Sequence, residues 1–194
     1  MGAIEPAEKF GWRIYTEALR RGLAKAQRVV ILGDGAEWIK NLAEIHFPEA
    51  TLIIDLYHAR EHISELCKIL FEPNDKKLAQ QRIRWWTDLD GGKVEKIISQ
   101  AKQQLPKKSE IKKKAETEIR YLEKNMSRMR YAEFRSQGFF VGSGVVEAGC
   151  KTVIGQRLKQ SGMEWSVRGA NAIIALRCMI KSDRFEDYWE SRIA

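Results

Sequence analysis

Apolar positions alternate between helix and strand periods in the first third of the chain and become helical almost throughout the rest. Residues 6–26 carry Phe10, Ile14, Ala18 and Leu23 on one stripe, the spacing of a helix face. Residues 28–32 (RVVIL) are short, β-branched and apolar, as a buried parallel strand requires. Gly33-Asp34-Gly35 breaks that run, and 36–47 predicts a helix stopped by Pro48. A second buried strand follows at 51–56 (TLIIDL), then a helix at 58–71 with Ile63, Leu66 and Leu70 inward. Helix, strand, helix, strand, helix is the order of parallel strands joined by a crossover.

Beyond residue 71 the pattern changes. Glu72-Pro73-Asn74-Asp75 predicts a linker with Asn74 or Asp75 as N-cap. From there to about Met129 every segment predicts helix, punctuated by Gly91-Gly92 and Pro106. Gln137 to Gly144 (QGFFVGSG) is a glycine-punctuated crossing. A helix is expected over 145–160, closed by Gly162, and two more near 166–180 and 184–192. The expected class is α/β with a large α-helical part, in three stretches: 1–71, an all-helical insertion at 72–138, and C-terminal helices at 139–194. Two parallel strands do not make a stable sheet on their own. The pattern therefore expects a further pairing partner that these residues do not supply.

Charge gives this architecture a partner class. The net charge is +8 with a pI near 9.4, a balance that attracts polyanions, nucleic acid first. The stretch from Lys102 to Arg135 alone holds eleven Lys/Arg against five Asp/Glu. No apolar run approaches the roughly 20 residues of a membrane span. Glu5, Glu8 and Lys9 stand where a signal peptide needs an apolar core, so the expected compartment is the cytosol, without a membrane partner. Cys67, Cys150 and Cys178 form no CxxC pair, so neither a disulfide framework nor a cysteine zinc site is indicated.

Three places could carry chemistry. Asp34 stands at the carboxyl end of the first strand, where open α/β sheets bind ligands, with glycines on both sides that leave room for a phosphate or metal; the competing reading is a cap for the helix after it. Asp55 and His58 end the next strand at the same expected edge. His58-Ala-Arg-Glu61-His62 also fits H-x-x-E-H, in which two histidines four apart share a metal and the Glu acts as base. Glu147 is expected on the helix at 145–160, sharing a side with Cys150, Lys151, Ile154 and Leu158, with Arg157 and Lys159 on or beside it. A carboxylate among cations is what metal-dependent cutting of a polyanion uses; the competing reading is a surface i,i+4 pair of Glu147 with Lys151.

In order along the chain, VVILGDGAEWIKNLAEIHFPEATLIIDLYHAREHI and RMRYAEFRSQGFFVGSGVVEAGCKTVIGQRLKQSGMEWS resemble bacterial insertion-sequence transposases of the DDE, RNase H-like class, related to the Mutator-like group with a helical insertion. The resemblance runs from about residue 10 to the end. It implies an RNase H-like core in which Asp34 is the second catalytic acid and Glu147 the third. Asp55 and His58 match the family's Cys/Asp-x-x-His motif, in a supporting role. It implies Mg²⁺ or Mn²⁺ held by Asp34 and Glu147, transposon-end and target DNA as partners, and a homo-oligomer for the intact enzyme. Lys151, Arg157, Lys159, Arg168, Lys112, Lys113 and Lys114 are then the DNA-contacting cations. The first acid of the family lies on a strand upstream of the helix at 6–26. The core is therefore expected to be incomplete here, and the chain alone inactive. The alternatives are a non-catalytic DNA-binding module or regulator and an H-x-x-E-H zinc metallopeptidase.

Overall fold

The computed structural model describes residues 2–107 and 109–193. After an opening helix and a 3₁₀ turn its elements run β-α-β and then helix after helix, so the class is α/β with a large helical part. The described chain divides into two compact units. One comprises Val30–Lys40 and Glu49–Ser143; the other comprises Met1–Val29, Asn41–Pro48 and Gly144–Ala194.

The first of these holds the sheet. Strand β1 (Val30–Gly33) pairs in parallel with β2 (Thr51–Ile54), in the register Val30↔Thr51 to Gly33↔Ile54. Helix α2 (Glu37–His46) connects them. The expected strand at 28–32 begins two residues later and takes in Gly33. After β2 the chain turns at once into α3 (Leu56–Phe71), because Asp55 caps it: its side chain accepts from the His58 amide at 2.9 Å. Helices α4 (Asp75–Asp90), α5 (Val94–Gln103) and α6 (Ser109–Asn125) follow, α4 capped by Asn74 on the Lys77 amide at 3.0 Å. A short α7 (Tyr131–Ser136) lies where the sequence pattern assigned nothing.

These helices share one core with β2. Ile53, Ile63, Leu66, Trp85, Leu89, Ile97 and Leu122 are all but inaccessible to solvent. Each such side chain removes apolar area worth about 1.5–3 kcal/mol from water. Trp85 fits without an orphaned donor because its indole N–H reaches Gln100 Oε1 at 2.8 Å.

In the other unit, α1 (Ala7–Arg20) ends earlier than the expected residue 26, since Gly22 adopts a left-handed φ of 95° and starts a short 3₁₀ turn. The α1 face carrying Gly11 packs on His46: a Cβ at Gly11 would stand 2.6 Å from the His46 ring nitrogen. Helix α8 (Gly144–Cys150) does not continue as a plain α-helix. Lys151–Gly155 form a π-helical segment before α9 (Gln156–Leu158). Helices α10 (Val167–Lys181), capped by Ser166 on Gly169, and α11 (Phe185–Ile193) complete the unit. No helix among the described residues is long and apolar enough to cross a membrane.

Candidate functional site

At the carboxyl end of β1, Asp34 is exposed, and one of its carboxylate oxygens accepts from the Ala36 amide at 2.9 Å. This contact closes a turn just ahead of α2, which begins at Glu37, and the Asp34 side chain faces solvent. Gly35 takes φ 89°, and a Cβ there would press on Ile54 at 3.0 Å and on the Tyr121 hydroxyl at 3.3 Å. That hydroxyl donates to the Asp34 carbonyl at 3.0 Å, tying α6 to the β1–α2 turn. Burial, reinforced by Asp34, pushes the Tyr121 phenol well above its ordinary pKa, so the hydroxyl stays a donor. A second tie joins the same elements at 2.5 Å, Lys124 to Glu37, holding the Glu37 carboxyl below its usual range.

Asp55 is built differently. It is 5% exposed, and both oxygens are taken by backbone amides, one by His58 and the other by Ser143. The adjoining Leu56 amide donates to Val141 at 2.9 Å, so the 141–143 segment is laced to the start of α3. Asp55 is an anchor for two backbone segments.

His58 and His62 lie one helical turn apart on α3, half-buried, and their Nε2 atoms are 3.3 Å apart. His58 Nδ1 is 3.2 Å from Glu61, and His62 Nδ1 is 2.6 Å from Glu118 on α6. The His62 ring stacks on Tyr121 with centroids 3.6 Å apart. An open cavity is lined by both histidines, both glutamates, Arg60 and Trp86. The pairing with Glu118 is invisible to sequence reasoning because it spans 56 positions.

Glu147 is exposed in the other unit. It lines an open groove with Cys150, Lys151, Ile154, Gly155 and Lys159. The expected α-helical line through Leu158 is displaced: after the π segment the groove continues through Gly155 and Lys159, because one extra residue per turn rotates everything after it. The carbonyls released by that widening are taken by Arg177 of α10, whose guanidinium donates to Val153 O at 2.9 Å and also to Thr152 O. Nothing local in the sequence announces Arg177 in this part. Arg157 leaves the groove and stacks over Trp165 at 5.3 Å. Arg168 is exposed on α10, and Lys112, Lys113 and Lys114 are exposed on α6, Lys112 within 3.8 Å of Glu116.

Among the described residues no group of three or more His, Cys, Asp or Glu side chains is arranged to hold a metal ion. Asp34 and Glu147, each in its own unit, are exposed carboxylates.

The fold and its exposed acids define a mostly helical α/β protein with a small parallel sheet. Over residues 7–190 the chain matches the model of the Uncharacterised protein family (UPF0236), and it belongs to that family. No curated protein and no solved structure matches the chain.

Proposed function

We propose that this chain is the C-terminal catalytic-domain portion of a DNA transposase of the DDE, RNase H-like class. The observation that carries the reading is the exposed Asp34 at the carboxyl end of β1 in a β-α-β unit, the place where parallel sheets present ligand-binding groups. Support comes from Glu147 in a groove flanked by Lys151 and Lys159, and from the +8 net charge. In this proposal Asp34 and Glu147 hold Mg²⁺ or Mn²⁺ together with a third acid on a strand alongside β1. Bound there, the paired ions supply activation of an attacking oxygen and charge stabilisation at the leaving one. The protein's own cations, Lys151, Lys159 and Arg168 with Lys112, Lys113 and Lys114, grip phosphates and fix the register of the DNA without reading its sequence. The intact enzyme acts as a homo-oligomer on transposon ends and target.

The metallopeptidase reading finds less support. It needs Glu61 beside the metal-facing side of the histidines, whereas the Glu61 carboxylate sits against Nδ1 of His58, the far side of the ring.

The test pairs binding with cleavage. Affinity for duplex DNA should fall steeply with salt, with a log–log slope of about −0.9 per phosphate contact. Neutralising Lys151, Lys159 and Lys112–Lys114 should flatten it. On DNA bearing the element's ends, the 194-residue chain should be silent with Mg²⁺. The chain extended by an acid-bearing strand should cleave, and Asp34→Ala or Glu147→Gln should abolish cleavage. Salt-sensitive binding without cleavage in either form would instead indicate a DNA-binding regulator; binding indifferent to salt sinks both readings.

A further inference from the structure

We infer that His58 and His62 form a binding site for a borderline divalent transition-metal ion of the zinc class, distinct from the carboxylate site and independent of the proposed function. The argument starts from proton positions. An ionised carboxylate only accepts hydrogen bonds. Glu118 at 2.6 Å from His62 Nδ1 and Glu61 at 3.2 Å from His58 Nδ1 therefore place the ring proton on Nδ1 in both histidines. In a neutral ring of that tautomer the lone pair is on Nε2. The two Nε2 atoms stand 3.3 Å apart, a contact that two neutral rings of this tautomer disfavour and that either a shared proton or a metal ion bound by both rings satisfies.

The spacing fits a metal ion. Two imidazole nitrogens bound at about 2.0–2.1 Å with a tetrahedral angle stand roughly 3.3–3.4 Å apart. The ring centroids are 4.8 Å apart with planes at 89°. This is closer than two imidazoles meeting nitrogen to nitrogen end-on allow, so the two rings meet at an angle, as ligands of one ion do. A carboxylate behind each ligating histidine is the support metal sites use to fix the tautomer and raise ligand basicity. His62 is further held by its stack on Tyr121. The cavity before the pair is open, so the remaining coordination positions fall to water or to an incoming donor. Imidazole ligands select Zn²⁺, Ni²⁺ or Cu²⁺ over Mg²⁺.

The experiment titrates Zn²⁺, and separately Mg²⁺, into the full chain carrying Cys150→Ser, which removes the exposed thiol. Heat of binding and the ring-nitrogen NMR signals are followed together. The chain has three histidines, and His46, buried in the other unit, is the internal control. One equivalent of Zn²⁺ should move the Nε2 signals of His58 and His62, leave their Nδ1 protons in place and leave His46 unchanged. Mg²⁺ should move none. Glu118→Gln should weaken Zn²⁺ binding about 10–100-fold, the usual effect of losing such a support. The pair His58→Ala and His62→Ala should abolish it. No response of the two rings in the intact chain would overturn the assignment, as would full binding by the doubly substituted protein or coordination through Nδ1. The ring signals need no substitution at the histidines or Glu118, so the result stands even if one of those changes unfolds the chain. Absence of Zn²⁺ binding with salt-sensitive DNA binding intact would remove this site alone.

Discussion

Replacing Asp55 separates an anchoring role from a chemical one. The carboxylate is 5% exposed and accepts from two amides, His58 at the first turn of α3 and Ser143. In Asp55→Ala the N-cap is lost, at about 1 kcal/mol. The half-buried Ser143 amide is also left without its acceptor, at about 1–3 kcal/mol. Together the change destabilises this unit by roughly 2–4 kcal/mol. Asp55→Asn is the sharper probe. Asparagine caps a helix as well as aspartate does, so the His58 contact survives, but its amide group would face the Ser143 N–H donor to donor. It should cost about 1–3 kcal/mol, all of it on the Ser143 side. Native-state hydrogen exchange reads both parts. The Ser143 amide should lose protection in both variants, the His58 amide only in the alanine one, and the core amides of Ile63 and Leu66 should report the drop in unit stability. If Asp55→Ala shifts those core amides by less than about 0.5 kcal/mol, the level of an ordinary surface change, the anchoring argument is wrong.

Gly35→Ala forces a side chain onto a left-handed backbone and into Ile54 and the Tyr121 hydroxyl; it should destabilise by about 1–2 kcal/mol, measured by urea unfolding. Burial pushes the Glu17 carboxyl up, but Arg21 and Arg184 outweigh it and hold it below its usual range. A depressed folded pKa gives stability that is present above the ordinary carboxylate range and lost as pH falls through the folded value. The wild type should therefore lose more stability than Glu17→Gln on acidification from about pH 5 to 3, and identical acid-side slopes would refute it. Arg177→Ala strips two carbonyls of the π segment of their donor and should destabilise the helix carrying Glu147 by about 1–3 kcal/mol, read from exchange of its amides.

The elements were legible where local signals act alone. The β-branched run marks the strand, though not its bounds, while the proline after Phe47 and the Asn74 cap mark boundaries that backbone sterics or a local hydrogen bond enforces. Legibility failed where a distant group decides. The helix expected at 145–160 widens at Lys151–Gly155, and the donors that accept this cost sit on Arg177, more than 20 positions away. Asp55 looked like a site acid because a strand-end aspartate before a histidine is compatible with either role; only its contact with Ser143, 88 positions on, assigns it to the backbone. His58 and His62 were visible as a spaced pair, but the carboxylate on α6 that sets the tautomer of His62 was not.

Burial divides the acids of the proposed site by function. A carboxylate that is to bind a cation and a phosphate must be reachable, and one that stabilises a fold is best surrounded by donors in place of water. Asp55 meets the second condition; Asp34 and Glu147, both exposed, meet the first. The same division separates two ion chemistries. Exposed carboxylates favour a hydrated hard cation, while paired imidazole nitrogens favour a softer one. Under the proposed function and the inferred imidazole site, Mg²⁺ and Zn²⁺ would interrogate different residues of this chain. Mg²⁺-dependent effects should follow Asp34 and Glu147, and Zn²⁺-dependent effects should follow His58 and His62. Each ion is then the control for the other, and a variant at one pair that altered the response to both would mean that the two sites are coupled.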